Sequence, residues 1–197
     1  MKGFEGRLFA IYLEHLPPHL KLHSADYTKA DFKTILSDSA SALDYIASQG
    51  LSHNDLKPLN ITFSREREAV LIDFGLATSV DSRGGGGTPR YVPPEYLHGG
   101  FRGAPGDVWA LGITMMDIMD KFSVPHALRR GWSIIEAATD NTKSNSMMKA
   151  WLKEVQRCRN NLGREDLVEA TLFDMLDDSP QTRITAKEIV ARLSPSS

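Results

Sequence analysis

The chain has 197 residues, 41% of them hydrophobic and 24% charged, which suits one globular domain, residues 1–197, with a sizeable core. A formal net charge of −2 argues against a general nucleic-acid binder, and the single cysteine, Cys158, excludes an internal disulfide. The longest apolar run, residues 108–116, is too short to span a bilayer and residues 8–13 make no signal peptide, so no membrane association is expected and the cytosol or nucleus is the expected compartment.

Residues 7–13, RLFAIYL, are apolar and rich in β-formers, which predicts a strand. It ends at Glu14-His15-Leu16-Pro17-Pro18, where two prolines disfavour both helix and ladder pairing. His15, His19 and His23 recur at a spacing that would suit a metal on a helix, but the prolines argue for a solvated loop instead. Thr28 opens a helix, with Asp31 in a capping-box position. Phe32, Ile35, Leu36, Leu43 and Ile46 share one face, and Gly50 is the expected C-cap.

That helix delivers the chain into LSHNDLKPLNI, residues 51–61, which carries His53, Asp55, Lys57 and Asn60 at the spacing H-x-D-x-K-P-x-N. Residues 61–64 and 69–72 flank a charged turn and predict a hairpin whose far end launches Asp73-Phe74-Gly75. Singly, a histidine, an Asp-Leu-Lys-Pro turn or a hairpin ending in Asp-Phe-Gly is ordinary. Jointly, five fixed positions of the loop recur by chance on the order of once in a million starts. Four glycines, residues 84–87, follow no strand and open no helix as a phosphate cradle would, and predict a flexible tip. GTPRYVPPE comes next, with Thr88 and Glu95. Asp107 then stands at the start of an apolar helix, DVWALGITMM, that must be buried centrally. Residues 132–138, 149–158 and 167–176 have helical apolar spacing, and DDSPQTRITAKE, with Arg183, leads into a final helix.

These motifs resemble those of protein kinases over about the whole chain: the catalytic loop, the DFG triplet, a G-T-x-x-Y-x-A-P-E closing segment and a D-P-x-x-R-x-T-A-x-E helix entry. The resemblance implies a mainly α fold, the kinase C-terminal lobe, with a helical bundle, a small β-hairpin and a hinge strand. It also implies transfer of the γ-phosphate of ATP to a serine or threonine of a protein substrate, with Mg2+ as cofactor. Asp55 corresponds to the catalytic base and Lys57 lies near the transferred phosphate. Asn60 and Asp73 hold metal, and backbone groups at Glu14 and Leu16 bond adenine. His53, Phe74, Gly75, Thr88, Asp107 and a Glu95–Arg183 ion pair support the site. Thr88 and Lys57 favour serine/threonine over tyrosine specificity.

The departures carry expectations too. Asn54 replaces the usual arginine, a neutral side chain that cannot balance a phosphate dianion, so activity is expected not to depend on phosphorylating Thr78, Ser79, Ser82 or Thr88. Pro93 replaces alanine, Ser179 an aspartate, and Thr62 an apolar residue beneath the adenine. No G-x-G-x-x-G precedes a lysine-bearing strand, so the chain is expected to be truncated at its start and to bind ATP–Mg2+ weakly alone. A partner or the other lobe is expected to cover the exposed cleft face. Two rival readings are a catalytically inactive pseudokinase or scaffold and an aminoglycoside-kinase-like small-molecule phosphotransferase. Retention of Asp55, Asn60 and Asp73 argues against the first. GTPRYVPPE, Lys57 and DVWALG argue against the second.

Overall fold

A computed structural model describes residues 3–5, 10–12, 14–21, 26–80, 86–99, 103–122 and 132–194. Strand β1 (Gly3–Glu5) pairs antiparallel with β2 (Ala10–Tyr12), Phe4 opposite Ile11. The strand expected over residues 7–13 is therefore represented by Ala10–Tyr12, its flanks lying outside the described residues. Nothing in the sequence signalled β1, because Gly3 and Gly6 lower the β-propensity on either side of it. Beyond the prolines the chain also departs from a plain loop. His19 bridges Thr62, Leu20 N donates to Ile61 O at 2.8 Å, and Phe63 N donates to Pro18 O at 3.2 Å. Pro18 contributes only its carbonyl, which is how a residue without an N–H can border a sheet.

Helix α1 (Lys29–Ser48) begins at Thr28 with the expected capping box, Asp31 N donating to Thr28 Oγ1 and Thr28 N to Asp31 Oδ2. Its C-cap is Gln49, with Gly50 one position beyond at φ 73°. Two acids on α1 hold the hairpin of β4 (Ile61–Ser64) and β5 (Glu68–Leu71). Arg65 in the turn donates to both Asp31 oxygens, at 3.0 and 2.8 Å, and Ala69 N donates to Asp38 Oδ2 at 3.1 Å. The hydrogen bonds from Arg65 hold the Asp31 carboxyl well below the usual carboxylate range.

Helix α2 (Ala104–Ile118) is central, as its apolarity requires: every residue from Asp107 to Ile118 is buried. A Cβ added at Gly112 would come within 3.0 Å of Leu176 Cδ2, so a larger residue would push apart α2 and the end of α5 (Leu167–Met175). Helices α1 and α5 pack on this axis, the short α3 (Ile134–Ala137) packs on α4 (Lys143–Arg159), and α6 (Ala186–Leu193) packs along α1. The architecture is mainly helical with small two-stranded sheets, as expected. No described helix is long and apolar enough to cross a membrane.

Arg183 fastens the base of this bundle. Its side chain is fully enclosed, donates to both Glu95 oxygens at 2.8 Å, and also donates to the carbonyls of Pro105 at 2.7 Å and Asp177 at 3.0 Å. Its guanidinium lies 5.2 Å from the centre of the Trp109 ring. The pair joins residues 88 apart in the chain. Removing one partner of a buried pair leaves the other charge uncompensated, so Arg183→Ala should lose about 3–5 kcal/mol of stability in urea unfolding. An unchanged midpoint would remove this pair from the forces holding the bundle.

Candidate active site

Strand β3 (Leu51–Ser52) pairs antiparallel with β6 (Thr78–Ser79), bringing the loop after residue 52 beside the segment after residue 73. His53 between them is fully buried. Asp55 N donates to its Nδ1 at 3.4 Å, so its Nε2–H is the donor to Ile72 O at 2.9 Å. The Phe74 ring tilts against the imidazole, centroids 4.8 Å apart.

Asp107 supports the loop, as the kinase resemblance implies. The N-cap of α2 is Gly103, and Asp107 sits inside the first turn with its carboxylate turned to the loop. Its Oδ2 accepts from His53 N at 2.6 Å and its Oδ1 from Asn54 N at 2.8 Å. Asn54 itself has φ 66°, a left-handed conformation that asparagine tolerates better than most residues. Its Nδ2 donates to Leu76 O at 3.0 Å and to Thr78 Oγ1 at 2.8 Å. The sequence shows that Asn54 can hydrogen-bond, an amide with two donors preceding the loop's carboxylate, but it does not show to what.

The two oxygens of Asp55, 9% exposed, are both committed. Oδ1 accepts from Thr88 Oγ1 at 2.7 Å and Oδ2 accepts from Lys57 Nζ at 2.6 Å. Lys57 Nζ also donates to Thr88 Oγ1 at 3.0 Å, closing a triangle between the loop and the GTPRYVPPE segment. Asn60, in a 3-10 turn (Pro58–Asn60), donates from Nδ2 to Asp55 O at 2.8 Å, which leaves its Oδ1 as the amide's acceptor.

Asp73 is exposed, with φ 63° and ψ 68°, and its Oδ1 accepts from Gly75 N at 3.4 Å. A Cβ on Gly75 would lie 3.2 Å from that oxygen, tighter than ordinary contact. Ile72 N donates to Asn60 O at 2.9 Å, tying the approach to Asp73 to the turn carrying Asn60. No group of three His, Cys, Asp or Glu side chains gathers among the described residues. An amide oxygen and a carboxylate are nevertheless hard oxygen donors of the kind Mg2+ takes together with water and phosphate oxygens. The residues present fit that ion.

Glu14 and Leu16 stand apart from this cluster. Glu14 is exposed and pairs with Arg67 of the hairpin turn, and Leu16 is half-buried. Of the three spaced histidines, His19 is engaged on β4 and His23 lies outside the described residues, as do Gly84 and Gly85 of the glycine run.

The protein kinase domain family matches this chain over residues 8–193. Among curated proteins, the chain is similar to CBL-interacting protein kinase 28 of Oryza sativa subsp. japonica, 28% identical over 177 residues, covering 86% of this chain and 37% of that protein. It is 30% identical over 157 residues to CBL-interacting protein kinase 26 of the same plant, covering 76% of this chain and 29% of the relative. With maternal embryonic leucine zipper kinase of Xenopus laevis it shares 34% identity over 101 residues, 47% of this chain and 15% of the relative. The chain thus spans about a third of the length of the two plant kinases.

The geometry of Asp107 makes a graded prediction. Asp107→Ala orphans two backbone N–H groups and should cost about 2–4 kcal/mol, since hydrogen bonds to charged groups contribute roughly 1.5–3 kcal/mol each. Asp107→Asn keeps one acceptor oxygen and should lose about half as much. Chemical denaturation of the two variants gives the ranking; equal stability of Asp107→Ala and the parent would contradict it.

Proposed function

We propose, from the premise that this chain belongs to the protein kinase domain family, that it carries the catalytic half of a protein serine/threonine kinase, moving the γ-phosphate of ATP to a protein hydroxyl. The observation that carries the reading is the closed triangle of Asp55, Lys57 and Thr88. Asp55 is the carboxylate that orients the substrate hydroxyl and accepts its proton as the new O–P bond forms and ADP departs. Lys57, held against it, neutralises charge that builds on the transferred group. Thr88 ties this pair to the segment that receives the substrate, consistent with a serine or threonine acceptor.

Asn60 Oδ1 and the Asp73 carboxylate are the ligands we assign to Mg2+, which neutralises phosphate charge when bound. Backbone groups at Glu14 and Leu16 are assigned to the adenine. His53 and Asp107 position the loop and do not touch the reacting atoms.

The assay is transfer of labelled phosphate from ATP–Mg2+ to serine- and threonine-containing proteins by the longest product translated from this reading frame. Asp55→Ala should lower the rate about 10³-fold or more while circular dichroism stays unchanged. Undiminished transfer by that variant would overturn the assignment.

We also propose that this activity needs no phosphate on the segment between Asp73 and Glu95. Asn54 Nδ2 already holds Leu76 O and Thr78 Oγ1 by neutral hydrogen bonds, and it offers no charge to balance a dianion. Phosphatase treatment of the same product should leave its rate unchanged. A large loss traced to Thr78, Ser79, Ser82 or Thr88 would show the Asn54 argument to be wrong.

A further inference from the structure

Protein interiors leave few voids larger than a water molecule, yet a cavity of about 200 Å³ lies between α1, the first turn of α2 and the start of α6. Its depth is apolar. Leu43, Val108, Ile184 and Ala186 are each buried, and Leu43 and Ala47 stand one turn apart on the same face of α1. The space exists because Ala47, Ala104 and Ala186, one on each of the three helices, bring only a methyl group to it. The half-exposed Asp44 and the exposed Thr185 mark its mouth.

Two buried charges form part of the wall, and both are satisfied within the fold. Arg183 donates to Glu95 and to the carbonyls of Pro105 and Asp177, and Asp107 accepts from His53 N and Asn54 N. Thr185 exchanges hydrogen bonds with Glu188 of its own helix, donating to Oε2 at 2.8 Å and accepting from the backbone N at 3.2 Å. Asp44 is different. Among the described residues no hydrogen bond or ion pair engages its carboxylate. Because Arg183 is neutralised by Glu95, the charge that Asp44 and Asp107 bring to the wall leaves it negative. An anion would be repelled there, and a water in the apolar depth would lack the polar partners it needs.

We propose that this cavity is a binding site for a small hydrophobic cation, its apolar body in the depth and its ammonium on Asp44. An apolar cavity of about 150 Å³ stays dry and accepts benzene. The larger space here, about 200 Å³, suits one aromatic ring carrying a short chain. An arylalkylamine has that shape and the charge that the mouth calls for. The walls give the site a consequence. Asp107 holds the loop before Asp55, and Arg183 holds the end of the segment after Asp73. A molecule that fills the cavity braces both ties and stabilises the folded chain by mass action. Nothing in this rests on the kinase reading.

The test adds phenethylamine and ethylbenzene, the same ring and chain with and without the ammonium, to the whole chain in the absence of ATP. Both should raise the midpoint of thermal unfolding. Nuclear Overhauser contacts should join the ring protons to the methyl groups of Leu43, Val108 and Ile184. By calorimetry, Asp44→Asn should weaken phenethylamine about three- to tenfold, as expected for a charge-assisted bond at a half-exposed site, and leave ethylbenzene unchanged. Phenylacetate, with the charge reversed, should not bind. Ala47→Leu fills the cavity and should abolish binding of both probes. Where circular dichroism shows that this variant does not fold, Ala186→Leu serves instead. Absence of the midpoint shifts and of the Overhauser contacts overturns the proposal, as does binding that survives the leucine variant. An affinity for phenethylamine unchanged in Asp44→Asn also overturns it, because the cavity would then select no cation. Amine binding without phosphoryl transfer would keep this site and remove the kinase reading; transfer without amine binding would do the reverse.

Discussion

The arrangement depends first on one carboxylate in an apolar helix. Asp107 is enclosed in the first turn of α2, where an ionised group without partners would be too costly to keep. What stabilises it is the pair of backbone N–H groups of His53 and Asn54. Those donors need an acceptor as much as the carboxylate needs donors, because both face the interior. The bond therefore works in both directions. It allows a charge at the centre of the core, and it holds the loop in a conformation that includes the positive φ of Asn54. Asp55 follows directly, so its placement is inherited from the rigid axis of the bundle rather than from the loop's own preferences.

The second link ties the loop to a segment distant in sequence. Thr88 and Lys57 take both oxygens of Asp55, while Asn54 takes Leu76 and Thr78. Further along, Glu95 is clamped by Arg183. The stretch from Asp73 to Glu95 is thus attached near its start, at Thr88 and at its end. Each attachment is a side-chain hydrogen bond that closes a long loop, and such loops cost conformational entropy to order. A segment rich in glycine starts from a larger entropy, so these few contacts have more to offset than they would in a stiffer sequence.

Much of this was legible in the residues. Helix α1 announced itself by a capping box and a single apolar face, α2 by apolarity on all sides, and the loop by the spacing of His53, Asp55, Lys57 and Asn60. The Glu95–Arg183 contact was reachable only through resemblance, since nothing in either residue's neighbourhood points to the other. Two features escaped for a common reason. The β1 pairing and the bonding of Pro18–Leu20 to β4 are tertiary hydrogen bonds. Such bonds have no period and little local composition, so a sequence read for repeats and caps passes over them.

Buried charge shows the same limit from another side. Asp107 and Arg183 are similarly enclosed, and composition treats them as two charged residues among many. In space they differ in kind. Asp107 is satisfied by backbone donors, Arg183 by a carboxylate and two carbonyls. In both, the principal partner comes from a segment distant in the chain, so each charge ties the bundle to the stretch it meets: the loop before Asp55 in one case, the end of the segment after Asp73 in the other. A buried charge of this kind adds little net stability over an apolar residue, but losing its partner is costly, so the two ties hold the site's geometry more than they raise the overall stability.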